Sequence, residues 1–341
     1  MDRKTFVAGV LAGLLAAPAL RAQPSGRVFR IGHLIPAERT PAAQVAASAQ
    51  TRAFSLRPEQ QRDEALLAAL RELGWVPGGN LIIENRWAGV DPRRQREAAA
   101  ELKALPVLLI IALGTGPIRA ARDGAPGVPI VMINSGDPVG AGFAASLARP
   151  GGDLTGTSAA GEEVLGKQLE LLRAAVPELR RVGLLMNSAN PARGFFFDAM
   201  AIRAKPLGLQ LERIEVAEAG ELDAAIARAK GGGMVVLNDP MFGQLRERIA
   251  ESALRSRIPT VFGRRDYVVA GGLMSYVSSD AWHWRRAAGF IDKILKGARP
   301  GDLPIEQPTA FDLVINMKTA RALGLALPES LLLRADEVVV E

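Results

Sequence analysis

The sequence contains no cysteine and only two histidines among its 341 residues. Without cysteine the chain has no disulfide, no thiol nucleophile and no thiolate metal ligand, and no cysteine follows the first apolar segment to carry a bacterial lipid anchor. The histidines, His33 and His283, are far apart in the sequence, so metal clusters and histidine-dependent nucleophilic sites are poorly supplied. We therefore expect no metal, no cofactor and no catalytic residue.

Aromatic residues are also scarce, at 5% of the chain, whereas the hydrophobic share of 48% is that of a folded protein. The length of 341 residues allows two domains of ordinary size. The formal charge of +6 comes from scattered basic pairs such as Arg93-Arg94 and Arg180-Arg181. Because these pairs form no basic stripe interleaved with aromatics, nucleic acid is not an expected partner.

The first residues have the three parts of a secretory signal peptide. Arg3 and Lys4 precede an apolar stretch, and small residues follow it around Ala22. We expect residues 1–22 to be removed on export to the periplasm. The alternative, a membrane anchor, is less favoured because the apolar stretch is short for a bilayer.

Strand and helix patterns alternate along the rest of the chain. The apolar runs PVLLIIALG (106–114) and VPIVMIN (128–134) are typical of parallel strands covered on both faces. Amphipathic helices are predicted over 59–74 and 91–105, and the same alternation repeats from 163 to 263. The sequence therefore predicts an α/β protein of two Rossmann-like lobes, each with a parallel sheet.

Between the two halves, residues 134–156 (NSGDPVGAGFAASLARPGGDLTG) are dense in turn-forming residues. We interpret this stretch as a crossing between lobes, with a ligand bound where the chain crosses. Further breaks near Val269 and 299–304 predict three crossings in all. The first lobe would then comprise residues 28–150 and 269–304, and the second 151–268 and 305–341.

Ligands of open parallel sheets bind at the carboxyl ends of the strands. In the first half those positions hold glycines, amides, hydroxyls and a carboxylate. Gly114 and Thr115 begin a helix whose free N–H groups suit an anion, with ordinary capping as the alternative. The candidate ligand-binding residues of this half are His33, Gly114, Thr115, Asn134 and Asp137.

The matching positions of the second half are equally polar. Asp239 precedes a proline, which also fits a helix cap, and Arg264 could clamp a carboxylate bidentately, with a solvated surface arginine as the slightly favoured alternative. Neither half contains a P-loop or a complete dinucleotide fingerprint, so no nucleotide is expected. The candidate ligand-binding residues of this half are Asn187, Asn190, Asn238, Asp239, Phe262 and Arg264.

Several longer motifs carry a family resemblance. The stretches GDPVGAGFAASLARPGGDLTGTS, LELLRAAVP and DKILKGARPGDLPIEQPTAFDLVINMKTARALGL resemble the ABC transporter substrate-binding protein family that includes tryptophan-binding (TrpX-type) members. The resemblance runs from about Arg30 to Val339 and implies a type I periplasmic binding protein fold with three hinge crossings. It also implies cleft positions at Gly114-Thr115, Asp137 and Asn238-Asp239. Two departures are the long stretch 37–58 and the aromatic run Phe195-Phe196-Phe197.

The function that follows is capture of a small polar solute, such as an amino acid or related carboxylate, without chemistry. The resemblance implies delivery to a membrane permease whose partner ATPase drives uptake, with the binding protein acting as a monomer. Three alternatives stay open: a periplasmic sensor of the same fold, an exported α/β enzyme, and the effector domain of a repressor. The signal peptide and the absence of a helix-turn-helix segment before Val28 disfavour the last.

Overall fold

The computed structural model describes residues 28–38, 58–159 and 161–340, so the predicted signal peptide and residues 39–57 lie outside it. The described chain builds two sheets. The first sheet is parallel, with the spatial order β2-β1-β3-β4-β5. Its strands are β1 (Phe29–Ile35), β2 (Leu81–Trp87), β3 (Ile110–Leu113), β4 (Ile130–Ser135) and β5 (Leu154–Ser158).

The second sheet has seven strands in the order β12-β11-β10-β9-β8-β6-β7. Its pairs are parallel except for β11, which runs antiparallel to β10. Two sheets of mainly parallel strands confirm the predicted α/β class. The strands are β6 (Arg181–Asn187), β7 (Gln210–Val216), β8 (Gly233–Val236), β9 (Thr260–Phe262), β10 (Met274–Val277), β11 (Asp312–Asn316) and β12 (Glu337–Val339).

Helices connect the strands and cover the sheets. In the described part of the chain, none has the length and apolar character that crossing a bilayer requires. The α-helices are α1 (Pro58–Glu72), α2 (Pro92–Lys103), α3 (Thr115–Gly124), α4 (Gly161–Ala175), α5 (Arg193–Ala204), α6 (Leu222–Ala227), α7 (Pro240–Gln244), α8 (Arg246–Arg255), α9 (Arg265–Val269), α10 (Asp280–Leu295), α11 (Met317–Ala322) and α12 (Glu329–Leu332).

Each sheet buries both faces, as the apolar strands predict. In the first lobe, Ile110 packs with Ile118 of α3 on one face, and Ile111 packs with Trp284 of α10 on the other. In the second lobe, the neighbouring residues Leu184 and Leu185 enter cores on opposite faces. Helix α10 lies late in the sequence but completes the core of the first lobe beside α1.

The chain passes between lobes at positions that differ from the predicted boundaries at 150, 269 and 304. Strand β5 pairs with β4 in the first sheet, so the first passage lies between Ser158 and α4. Strand β10 belongs to the second sheet, so the second passage lies at 278–279. The third follows Glu306, which still bridges Thr157 of the first sheet.

The physical reason for these differences is the composition of β5. Its sequence LTGTS has the glycine and hydroxyl residues of a turn, yet all five residues are buried between neighbouring layers. Residues 136–153 are mostly turn and loop, as predicted, but they remain on the first lobe, where Phe143 packs near α3. The turn-rich stretch therefore leads into the last strand of the first sheet and does not itself cross.

Candidate ligand-binding cleft

The loops that follow strands of the two sheets meet each other across a cleft. The side chain of Gln244 donates a hydrogen bond to the carbonyl of Pro36 at 2.9 Å. Pro240, after β8, lies against Gly114, after β3, and the ring of Phe196 lies against Gly136, after β4. Since Pro36, Gly114 and Gly136 belong to the first lobe and their partners to the second, the structure is a closed arrangement.

Gly114 and Thr115 form the start of α3 at this cleft. Gly114 has φ of 82°, which favours glycine, and no side chain caps the helix. The Thr115 hydroxyl accepts a hydrogen bond from the Gly136 backbone N–H at 3.0 Å, which joins the loops after β3 and β4. The first N–H groups of α3 are thus left without a side-chain acceptor, and the alternative of Thr115 capping its own helix does not apply.

Two buried serine hydroxyls lie at the ends of β4 and β5, and the first of them directly precedes Gly136, which bonds Thr115. Ser135 at the end of β4 pairs in register with Ser158 at the end of β5, and both are 0% exposed. Neither hydroxyl has a hydrogen-bond partner. Buried polar groups are normally paired, so two adjacent unpaired hydroxyls at the carboxyl ends of β4 and β5 are candidate donors to an acceptor from outside the chain. Sequence reasoning missed Ser158, whose only signal is a hydroxyl at the end of a strand.

Asn134 and His33 are held by the first lobe. Asn134 has φ of 50°, and its backbone N–H donates to the Thr157 hydroxyl at 3.1 Å. His33 is 6% exposed and lies edge-on to Trp284, with ring centres 5.6 Å apart. Burial lowers the pKa of His33 to about 4, against the opposing effect of a hydrogen bond with Asn85. His33 is therefore neutral at pH 7 and offers no cation to a ligand.

Asp137 makes the local hydrogen bonds of a turn residue. Its carboxylate accepts hydrogen bonds from the backbone N–H groups of Val139 at 3.2 Å and Gly140 at 2.9 Å. These bonds close a turn directly after β4. The carboxylate thereby shapes the loop that carries Gly136.

In the second lobe, two predicted residues, Asn187 and Asn190, converge on the carboxylate of a third, Asp239. Asp239 Oδ1 accepts from Asn187 Nδ2 at 3.0 Å and from the Met241 backbone N–H at 3.0 Å, and Oδ2 accepts from Asn190 Nδ2 at 2.9 Å. Burial raises the pKa of Asp239, while these hydrogen bonds act to lower it. The cluster fixes the β6 and β8 loops relative to each other and caps α7.

The remaining predicted residues are not part of that cluster. Asn238 is exposed. Phe262 is 0% exposed and stacks on Tyr267 with ring centres 4.8 Å apart, because its side chain enters the core beneath α9. The Tyr267 hydroxyl, which sequence reasoning missed, is buried without a hydrogen-bond partner.

Arg264 lies at the hinge side of the cleft. Its Nε donates to Asp266 at 2.9 Å, and its Nη1 lies 3.9 Å from a carboxylate oxygen of Asp280, the first residue of α10. Burial acts to lower the pKa of Arg264, but Asp280 and Asp266 outweigh it and raise the pKa. The guanidinium also lines a cavity of about 340 Å³ with Ser278 and Asp312. Its charge is thus balanced within the protein.

The described residues contain no group of three or more His, Asp or Glu side chains placed to hold a metal ion. Two lobes with mainly parallel sheets, three passages between them and loops of the two lobes in contact define a type I periplasmic binding fold, in which a small molecule is enclosed between lobes.

The chain belongs to the family described as ABC transporter substrate binding protein, whose model matches residues 59–339. The resemblance to this family is thereby confirmed. Its members bind small molecules outside the cytoplasmic membrane and present them to a transporter permease. The chain is accordingly a solute-binding protein and not the exported enzyme that stood as an alternative.

Individual relatives agree with this assignment. The chain is 24% identical over 264 residues to a tyrosine-binding protein of Clostridioides difficile, covering 77% of this chain and 76% of the relative. It is similar to an ABC domain from Streptococcus pneumoniae solved with L-Trp (TM-score 0.80, 23% identity, 92% and 100% coverage). A conserved domain protein from Vibrio cholerae gives a TM-score of 0.79 at 21% identity, with 92% and 99% coverage.

Proposed function

We propose that this protein captures an amino acid in the periplasm and delivers it, as a monomer, to a permease driven by an ATPase. Residues 1–22 would direct its export and be removed. The tyrosine-binding relative and the L-Trp complex support an amino acid over a sugar. The observation that carries the proposal is the set of unsatisfied donors on the first lobe: the start of α3 with the buried hydroxyls of Ser135 and Ser158.

A carboxylate fits these donors because an ionised carboxylate only accepts hydrogen bonds. The N-terminus of α3 adds the partial positive charge of the helix dipole. The Thr115 hydroxyl, which already accepts from Gly136, keeps its proton to donate. The chemistry of this half-site therefore favours the α-carboxylate of an amino acid.

The second lobe supplies the complementary charge. Asp239 is 5% exposed and receives three hydrogen bonds, which leaves part of its acceptor capacity open. Its neighbours in the cluster are neutral amides, so its negative charge has no cation beside it among these partners. The α-ammonium group of an amino acid in the cleft would provide that cation. The ligand would then contact both lobes and favour their closed arrangement.

Calorimetric titration of the mature chain from Gln23 tests the proposal after bound ligand has been removed by unfolding and refolding. The probes are L-tryptophan, L-tyrosine, aliphatic and acidic amino acids, the corresponding amino acid amides, and sugars. We expect one class of amino acid to bind and its amide to bind at least tenfold more weakly. Binding of a sugar, or of an amide as tightly as its acid, would overturn the proposal.

Ser135→Ala tests the half-site, with Ser275→Ala as the matched control. Ser275 is also a buried serine whose hydroxyl has no partner, but it lies in β10 of the second lobe. Loss of one hydrogen bond to a charged carboxylate is expected to weaken binding about tenfold or more. Ser275→Ala is expected to bind like the parent. Equal affinities for the two variants would contradict the assignment of Ser135.

A further inference from the structure

One contact across the cleft joins a helix of the second lobe to a residue that has no side chain. Phe196 lies on α5 and packs into the core of the second lobe. Its ring also lies against Gly136 in the loop after β4 of the first lobe. A Cβ atom built on Gly136 would be 2.5 Å from Cζ and 2.7 Å from Cε2 of that ring.

We propose that Phe196 and Gly136 form a latch that determines how far the lobes close. Carbon atoms in contact stay about 3.5 Å apart, so any side chain at 136 would have to push the ring and its lobe outward. In an open arrangement the ring and the glycine separate, and the same side chain would meet no obstacle from Phe196. The glycine therefore matters to the closed state and not to the fold of either lobe.

The surroundings keep both partners in place. The Gly136 N–H donates to Thr115, and the Asp137 turn fixes the following residues. On the other side, Phe195 meets Phe196 edge-on with ring centres 5.6 Å apart, and Phe196 is 8% exposed. A ring held by its own core has little room to rotate away. The contact thus acts as a stop between two supported surfaces.

Gly136→Ala is the direct test because it adds one methyl group without backbone strain: unlike Gly114, Gly136 does not have a φ in the left-handed range. The added methyl would also lie 3.2 Å from Thr115 Oγ1, so a small shift of that hydroxyl is a second consequence. The double variant Gly136→Ala/Phe196→Leu separates the two effects, since it makes room at the ring and changes nothing at Thr115.

Closure can be measured without knowing the ligand. Cysteines at Pro36 and Gln244, which touch across the cleft, form a reporter pair in a chain that has no other cysteine. The rate of crosslinking by a short bismaleimide reports how often the lobes meet. The matched control is Gly194→Ala, also on α5, where a Cβ meets nothing within 4 Å.

In the reporter background, we expect Gly136→Ala to slow crosslinking at least tenfold, the double variant to restore it to within about threefold of the parent, and Gly194→Ala to leave it unchanged. Melting temperatures of all variants should stay within a few degrees of the parent. Unchanged crosslinking in Gly136→Ala, failure of Phe196→Leu to restore it, or a parent pair that never crosslinks would overturn the latch. Because no solute is added, the result is independent of the ligand assigned above.

Discussion

Thr157 and His283 are 126 residues apart in sequence, yet Thr157 Oγ1 lies 2.9 Å from His283 Nδ1. The same threonine oxygen accepts a hydrogen bond from the Asn134 backbone N–H at 3.1 Å. On the other side of the ring, His283 Nε2 lies at hydrogen-bond distance, 2.8 Å, from Ser278 Oγ. One neutral imidazole therefore ties β5, which precedes the first passage between lobes, to the second passage at 278–279, and Thr157 ties β5 to β4.

This imidazole makes stability depend on pH. Burial lowers the pKa of His283 from 6.5 to about 4, with Asp280 acting in the opposite direction. Between these values the unfolded chain binds a proton that the folded chain does not, so the free energy of unfolding falls as the pH falls through this window. His283→Gln removes the titrating group. We expect the loss of unfolding free energy from pH 7 to pH 5 to be smaller by about 2 kcal/mol in the variant.

Urea titrations at both pH values measure this difference directly. His33 serves as an internal reference, because it has a similarly lowered pKa and is retained in the variant. Equal pH dependence in parent and His283→Gln would mean that His283 titrates near its ordinary value when folded.

Removal of the paired hydroxyl of β5 should lower the free energy of unfolding, whereas removal of the unpaired hydroxyl should leave it unchanged or raise it. Thr157 has two hydrogen-bond partners, whereas the adjacent Ser158 has none. In the absence of ligand, Thr157→Val is expected to cost about 1–3 kcal/mol of unfolding free energy. Ser158→Ala removes a buried hydroxyl that nothing satisfies, so its cost is about zero or negative. Denaturant unfolding of the two variants distinguishes them, and a comparable loss in both would contradict the difference in pairing.

Asp239 should be a structural requirement of the second lobe as well as part of the proposed half-site. Asp239→Ala leaves the buried amides of Asn187 and Asn190 and one backbone N–H without their acceptor. We expect a loss of about 2–4 kcal/mol in unfolding free energy. Asp137→Ala is the comparison, since it also removes a turn-forming carboxylate but on a more open loop. Similar small losses in both variants would show that the Asp239 cluster is not a stabilising centre.

Arg264 is expected to hold the hinge side of the cleft together. Its side chain is 10% exposed and its carboxylate partner Asp266 is 15% exposed. Arg264→Met would leave the Asp266 carboxylate without this cation, which for a buried pair costs about 3–5 kcal/mol. The exposed pair of Arg265 and Glu337 gives the control: Arg265→Met should change unfolding free energy by at most about 1 kcal/mol. Chemical denaturation measures both.

Much of this architecture was predictable from residue patterns. The apolar runs ending at 114 and 134 became β3 and β4, and the polar residues after β6 and β8 converged on Asp239, because carboxyl ends of parallel strands share one edge. The same rule could not predict that the Phe262 side chain enters the core and not the cleft. Whether the last residue of an apolar strand points to the cleft or to the core depends on how the strand is oriented in the sheet.

The passages between lobes were harder to predict for a related reason. In LTGTS the hydroxyl and glycine residues have the composition of a turn, and their burial comes from partners distant in sequence, such as His283 and residues 303–306. The composition of residues 154–158 does not predict those distant partners. The family resemblance implied three hinge crossings, but it did not place them along the chain.

The late position of α10 also bears on the order in which the protein can fold. Trp284, Phe290 and Ile291 fill the core between α1 and the first sheet. That core stays incomplete during synthesis until residues 280–295 have been made. The sheet of the second lobe is completed later still, when β11 and β12 have been made. Until then, the core of each lobe lacks part of its residues, so the nascent chain gains little stability from folding. Because each lobe needs elements from late in the sequence, this connectivity would delay stable folding of both lobes until synthesis of the chain is almost complete.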